Sequence, residues 1–259
     1  LTNAESGTGK IFHTEEDEKY LLEFTDDFIN FSGSDEAIIL SDKDGYQHIY
    51  RYNLEGELIN QVTKGTWEVD EFLGYDENEH KIYFSSTEIS PLQRHVYSVY
   101  KDGTGKLQLT SQEGVNHAVF SRSFDYYILT YSNANTPYII SIHNKKGDLV
   151  RKLEDNILVS NLTRIYGFSQ KEFFQFQNSA GETLNGYQIL PPDFNKKRRY
   201  PVLLYTYGGP ESQSVTDEWK SNIAWHQLLA QHGYIVEFHN HRGTDGRGAF
   251  FKKSNYMQL

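Results

Sequence analysis

Three stretches of the chain repeat one pattern, and that repetition narrows the fold more than any other feature. AIILSDKDGYQHIYRYNLEGELINQVTKG (37–65) is followed by KIYFSSTEISPLQRHVYSVYKDGTGKLQLTSQ (81–112) and YYILTYSNANTPYIISIHNKKGDLVRKLEDN (126–156). Each reads as strand, turn, strand, glycine turn, strand. The glycine turns fall at Gly56, Gly103 and Gly147, offsets of 47 and 44 residues. The turns SGSDE (32–36), DKDG (42–45), LEGE (54–57), YKDGTGK (100–106) and NKKGD (144–148) collect Gly, Asn and Asp, the residues that tolerate turn geometry. A period of ~40–50 residues with several strands per unit is the mark of propeller blades. A plain meander or a sandwich is the alternative, and three units in register favour the propeller. Three blades do not close a ring of ~4–8, so the remaining blades are expected upstream.

Composition agrees with a β-rich fold. The 259 residues include 19 Tyr and 16 Phe, and aromatic side chains favour strands. Lys plus Arg number 25 against 35 Asp plus Glu, a net charge of −10. That balance argues against a nucleic-acid partner, whose phosphates need clustered cations. With no Cys there is neither a disulfide nor a thiolate metal site. No apolar run approaches the ~18 residues of a membrane span. The chain begins at Leu1 and carries no initiator Met, so it is expected to be an excerpt of a longer protein.

After residue 156 the character changes. EFFQFQNSAGETLNGYQILP (172–191) reads as a β-hairpin, and KKRR (196–199) as a solvated basic turn. Pro201–Tyr207 is a nearly continuous apolar strand, which predicts burial on both faces. DEWKSNIAWHQLLAQ (217–231) predicts a helix with Asp217 and Glu218 in its first turn. The pairs Trp225/Leu229 and Ala224/Leu228 would lie on one side of it, and Gly233 would stop it. YIVEF (234–238) is a second strand expected to be buried. Strand, helix, strand is one βαβ unit, hence a parallel pair. The expected fold is therefore β + α/β. Residues 1–156 read as the C-terminal blades of a propeller, and 157–259 as the N-terminal part of an α/β domain.

Ligands of open α/β sheets bind beyond the carboxyl ends of the strands, where Tyr207, Gly208, Gly209 and Pro210 fall. Glycines let the backbone approach a substrate and proline stiffens the turn; a phenol there can donate one hydrogen bond into the cleft. A packed, wetted tyrosine is the bland reading. A G-x-S-x-G nucleophile elbow is absent from the sequence. GTGK (7–10) is too short for a phosphate loop, and RGTDGRG (242–248) reads as a flexible turn. His239 and His241 alternate after a strand, and an H-x-H pair can bind a divalent metal if further ligands exist; none can be assigned. EEDE (15–18) offers paired carboxylates, for which a solvated turn is the simpler reading. Asn30 and Asn161 begin N-x-[ST] triplets, which arise often by chance.

Six segments taken together carry a resemblance. SDKDGYQHIY (41–50), TKGTWEV (63–69), LEDN (153–156), YQILPPDF (187–194), YPVLLYTYGGPESQ (200–213) and HRGTDGRG (241–248) resemble the dipeptidyl peptidase IV family of the prolyl oligopeptidase group. The resemblance runs from about residue 28 to the end. It implies the last three propeller blades followed by the first part of an α/β-hydrolase domain. It also implies a serine exopeptidase that removes N-terminal dipeptides with Pro or Ala in second place, without a cofactor. In the family the Ser-Asp-His triad lies later in the hydrolase domain. A Glu pair on an earlier blade holds the substrate amine, and Glu15 and Glu16 do not match that pair. Tyr207 matches the tyrosine whose hydroxyl helps form the oxyanion hole, with Gly208, Gly209, Pro210 and Arg242 in support. Members are commonly homodimers, and a periplasmic or cell-envelope setting is favoured by the resemblance alone. The sequence departs from the family pattern at Asn240, where Asp is usual, and at Asp245, where Gly is usual. The first would weaken an ion pair with Arg242 and the second would strain a turn. A non-catalytic binding protein of the same architecture is the second reading, and a metal-dependent hydrolase using His239 and His241 a remote third.

Overall fold

The computed structural model describes residues 2, 5–21, 28–30 (backbone only), 35–209 and 211–257. Part of the turn at 32–36, the Asn30 side chain and Pro210 lie outside the described residues. Three four-stranded antiparallel sheets follow one another along the chain. The first holds β1 (Phe28–Asn30), β2 (Glu36–Ser41), β3 (His48–Asn53) and β4 (Leu58–Gln61). The second holds β5 (Val69–Asp76), β6 (Lys81–Ser86), β7 (His95–Tyr100) and β8 (Leu107–Gln108). The third holds β9 (Val115–Phe120), β10 (Tyr126–Asn133), β11 (Thr136–Asn144) and β12 (Leu149–Glu154). Each is a meander in sequence order, the form of a propeller blade.

Strand periodicity explains how the blades stack. Along β6, Ile82 and Phe84 join Ile38, Ile49 and Val69 in a core between the first and second sheets. Tyr83, between them in sequence, turns to the other face and packs with Leu109, Tyr127 and Leu129 of the next interface. Successive strand side chains point to opposite faces, so the middle sheet is buried on both. The TKGTWEV segment belongs to this packing. Trp67 stacks on Phe84 with ring centroids 6.2 Å apart and meets His48 edge-on at 4.8 Å. The Thr63 hydroxyl accepts from the amide of Ile49 at 3.0 Å. Forty-seven residues on, Thr110 does the same for Val96 at 3.0 Å.

The glycine turns repeat in detail. Gly56, Gly103 and Gly147 have φ of 90°, 89° and 93°, a region that penalises any Cβ. The hairpins at 53–57, 144–148 and 178–182 share a further device, N-x-x-G-[DE]. Asn53, Asn144 and Asn178 accept from the amide four residues on, at 2.8, 3.0 and 2.9 Å. Each then donates its side-chain amide to the acid at that position.

Helix α1 (Ile157–Ile165) follows, with no residue buried; the sequence reading missed it. Asn161 is exposed on it. A mixed sheet then forms in the order β13 (Lys171–Gln177), β14 (Thr183–Ile189), β16 (Ile235–His239), β15 (Val202–Tyr205). The expected hairpin is β13–β14, and the expected parallel pair is β15–β16.

Two burial expectations need correction. Within these 259 residues all four residues of β15 are exposed: β15 is the last strand of the part of the sheet that they form, while helix α2 (Ile223–Gln231) packs on β14 and β16. Helix α2 also starts six residues later than the sequence suggests. Asp217 serves the tertiary fold instead: its Oδ1 accepts from the amide of Ala134 at 2.8 Å and its own amide donates to Leu92 O at 2.8 Å. The buried face of α2 is Ile223, His226, Gln227 and Ala230, and Trp225 and Leu228 are exposed. The polar Gln227 is the inward group because its amide both donates to Ser169 O at 2.7 Å and accepts from Ser169 N at 2.8 Å. Short helix α3 (Ala249–Lys252) and a 3-10 turn at Lys253–Asn255 close the described chain. No helix among the described residues is long and apolar enough to cross a membrane.

Candidate active site

Tyr207 lies two residues beyond β15, and the 240–244 loop lies directly beyond β16, so both sit past the carboxyl ends of the parallel pair. The Tyr207 side chain is 56% exposed. Its ring folds over Gly209, where a Cβ would come within 2.7 Å of the ring and 3.3 Å of the hydroxyl. Gly209 therefore leaves the ring its place. Gly208 has open space around it, and nothing in its surroundings explains a glycine.

The two loops are sewn together. The amide of Glu211 donates to Gly243 O at 2.8 Å, and Glu211 itself has φ +64°. The Ser212 hydroxyl lies 2.9 Å from Gly209 O, 3.4 Å from Tyr207 O and 3.2 Å from Nε2 of His241. Nδ1 of His241 meets the carbonyl oxygen of Arg242, and the Thr244 hydroxyl donates to His241 O at 2.6 Å.

The departures Asn240 and Asp245 each have a partner that the sequence hides. Asn240 is 5% exposed. Its Oδ1 accepts from Val215 N at 2.8 Å and its Nδ2 donates to Val215 O at 3.1 Å. A carboxylate can accept but cannot donate, so the amide is the better fit here. Arg242 has Glu182 at 2.8 Å instead. Asp245 pairs with Lys252 at 2.9 Å. Lys252 also faces Glu68 of the TKGTWEV segment at 3.5 Å, so one ammonium joins the second blade to the loop beyond β16. Burial opposes the charge on Lys252, but Asp245 and Glu68 outweigh it and raise its pKa above the ordinary value. Burial pushes the Glu68 carboxyl up.

The EEDE stretch is more than a solvated turn. Glu15 contacts His13 at 3.2 Å, and Asp17 holds Lys253 at 2.7 Å. The Lys253 hydrogen bond holds the Asp17 carboxyl below its ordinary range. Glu16 is exposed. His239 and His241 are engaged separately. His239 contacts Glu237 at 3.3 Å and rests against Phe174 and Phe176, whereas His241 serves Ser212. Among the described residues no group of three or more His, Cys, Asp or Glu side chains is arranged to hold a metal ion.

The comparisons with known proteins decide the family. Residues 1–138 match the model of the dipeptidyl peptidase IV (DPP IV) N-terminal region. The chain belongs to the dipeptidyl peptidase IV family. Among curated relatives, dipeptidyl peptidase 4 of Trichophyton rubrum is 35% identical over 239 residues, which cover 89% of this chain and 30% of that protein. Dipeptidyl peptidase 4 of Arthroderma otae is 34% identical over 234 residues, covering 88% and 30%. The crystal structure of Porphyromonas gingivalis dipeptidyl peptidase 4 superimposes with a TM-score of 0.84 at 36% identity, covering 90% of this chain and 33% of that one. The chain thus spans about a third of the length of its dipeptidyl peptidase IV relatives. Its β-rich fold of four sheets matches the architecture expected from the repeat.

Proposed function

We propose that the protein to which these 259 residues belong is a serine exopeptidase of dipeptidyl peptidase IV type. It releases N-terminal Xaa-Pro or Xaa-Ala dipeptides from peptides, and it works without a cofactor. Residues 1–156 are its last propeller blades, and 157–259 begin its α/β-hydrolase domain. The Ser-Asp-His triad and the Glu pair for the substrate amine come from parts of the protein outside this chain. These 259 residues alone are inactive.

The observation that carries the reading is the position of Tyr207, exposed beyond the carboxyl end of a parallel strand and held by a loop-to-loop seam. When a serine attacks the scissile carbonyl, negative charge develops on the former carbonyl oxygen. A donor fixed beside that oxygen stabilises it more than it stabilises the substrate. The phenol of Tyr207 is that donor. Gly208, Gly209, Pro210 and Arg242 support its loop.

The test uses the intact protein. Covalent labelling by a fluorophosphonate probe, together with release of chromophore from Gly-Pro- and Ala-Pro-p-nitroanilide, is expected. Neither labelling nor release would favour a non-catalytic binding protein of the same fold. A homodimer, which belongs to the same proposal, is read from the mass in solution.

A further inference from the structure

We infer that Ser212 and His241 form a positioning pair for Tyr207, setting where its hydroxyl stands without touching substrate themselves. This rests on the proposed role of Tyr207.

Three observations converge on Ser212. Its hydroxyl reaches Gly209 O at 2.9 Å and Tyr207 O at 3.4 Å, spanning both ends of the turn that carries the phenol. The ring of His241 lies 3.2 Å from the same oxygen. The ring comes from the loop beyond β16, which is tied to the turn a second time through Glu211 N and Gly243 O. The Tyr207 ring lies over Gly209, so a shift of the Gly209 carbonyl moves the surface on which the phenol rests.

Hydrogen-bond accounting gives His241 its part. A serine hydroxyl has one proton to give, and three acceptors compete for it here. Nδ1 of His241 faces the Arg242 carbonyl, which can only accept, so the ring proton sits on Nδ1 and Nε2 is an acceptor beside Ser212 Oγ. The Ser212 hydroxyl therefore lies between two acceptors, Nε2 of His241 and Gly209 O, and bridges the loop beyond β16 to the turn. Both residues lie in segments that carry the family resemblance, but the resemblance gives neither a role, and their sequence separation of 29 residues gives no hint that they meet.

The experiment is steady-state kinetics of the intact protein on Gly-Pro-p-nitroanilide. Ser212→Ala and His241→Phe are each expected to lower kcat about tenfold with KM within about twofold, since misplacing a catalytic group by ~1 Å can cost ~10². Ser212→Thr and His241→Gln, which keep a hydroxyl and a hydrogen-bond acceptor at those positions, are expected to retain most of kcat. The deciding variant is Ser212→Ala combined with Tyr207→Phe. If Ser212 acts through the phenol, the double variant is no slower than Tyr207→Phe alone; if the two losses multiply, the positioning role is overturned. Active wild type with unchanged Ser212→Ala and His241→Phe overturns the positioning pair and leaves the functional reading standing. Wild type without dipeptide release overturns both. Far-UV circular dichroism and Tm of each variant identify any that fails to fold, and the Thr and Gln variants then carry the decision.

Discussion

Lys252 and Glu68 are each 3% exposed, and their charges lie 3.5 Å apart across the seam between the second blade and the loop after β16. Asp245, at 2.9 Å, is the closer partner of the same ammonium. A buried ion pair adds little beyond a well-packed apolar pair, but removing one partner leaves charge stranded and costs ~3–5 kcal/mol. Lys252→Met strands two carboxylates. It is expected to destabilise folding by about 3–5 kcal/mol in urea at pH 7. Adding Glu68→Gln and Asp245→Asn is expected to recover most of that loss. A single-variant loss under ~1 kcal/mol would show that water already screens the cluster.

Lys171 presents the opposite electrostatic situation. It is 4% exposed, its ammonium donates to Glu218 O at 3.2 Å, and the Tyr187 ring lies 5.1 Å away. Burial, with help from Lys220, lowers its pKa from 10.5 to about 8. The folded state therefore disfavours the charged form. Between about pH 8 and 10.5 the unfolded chain binds more protons than the folded one, so stability from this group rises with pH across that window. Below about pH 8 both states are protonated and the full penalty applies, on the order of 3 kcal/mol. Lys171→Met is expected to stabilise the fold at pH 7 by about 1–3 kcal/mol, with the advantage shrinking toward pH 10. Urea titrations of both proteins at pH 7 and 9.5 check this. An advantage that does not change with pH would assign the effect to packing.

Asn240→Asp restores the residue usual in the family and is nonetheless expected to destabilise this chain. The carboxylate keeps the bond from Val215 N but loses the one to Val215 O. It also buries a charge at a site 5% exposed. A buried group left without its partner costs ~1–3 kcal/mol, and a loss of about that size in urea at pH 7 is expected. An unchanged midpoint would mean that Val215 O finds another donor.

The blades were legible because their signal is local and repeated. Glycine turns at Gly56, Gly103 and Gly147 and period-2 strands need only neighbours in sequence. The hairpin at 172–191 and the parallel pair β15–β16 were read on the same grounds. Burial in the second half was not legible. Val202–Tyr205 is uncovered where the part of the sheet formed by these 259 residues stops, and an apolar run does not say which strand lies beside it. Helix α2 misled for a related reason: Gln227 is inward through bonds to Ser169, 58 residues away, while Trp225 is outward. Tyr207 was singled out from its strand end and its motif. Its surroundings were hidden, because Ser212–His241, Asn240–Val215 and Lys252–Glu68 are long-range pairs whose partners no spacing rule connects.

Tyr207→Phe in the intact protein tests the oxyanion role directly. The substitution keeps the ring over Gly209 and removes only the hydroxyl, so the turn and its seam with His241 and Gly243 remain. Loss of one oxyanion donor typically costs ~10²–10³ in kcat, or ~3–4 kcal/mol. A fall of that size in kcat on Gly-Pro-p-nitroanilide is expected, with little change in KM, because the donor acts on charge that exists only after attack. Binding of a substrate-like peptide that cannot be cleaved should be unchanged by calorimetry. An unchanged kcat would remove Tyr207 from the catalytic machinery. A raised KM with kcat intact would make it a substrate-binding group instead, since that pattern marks an interaction made equally in the ground and transition states.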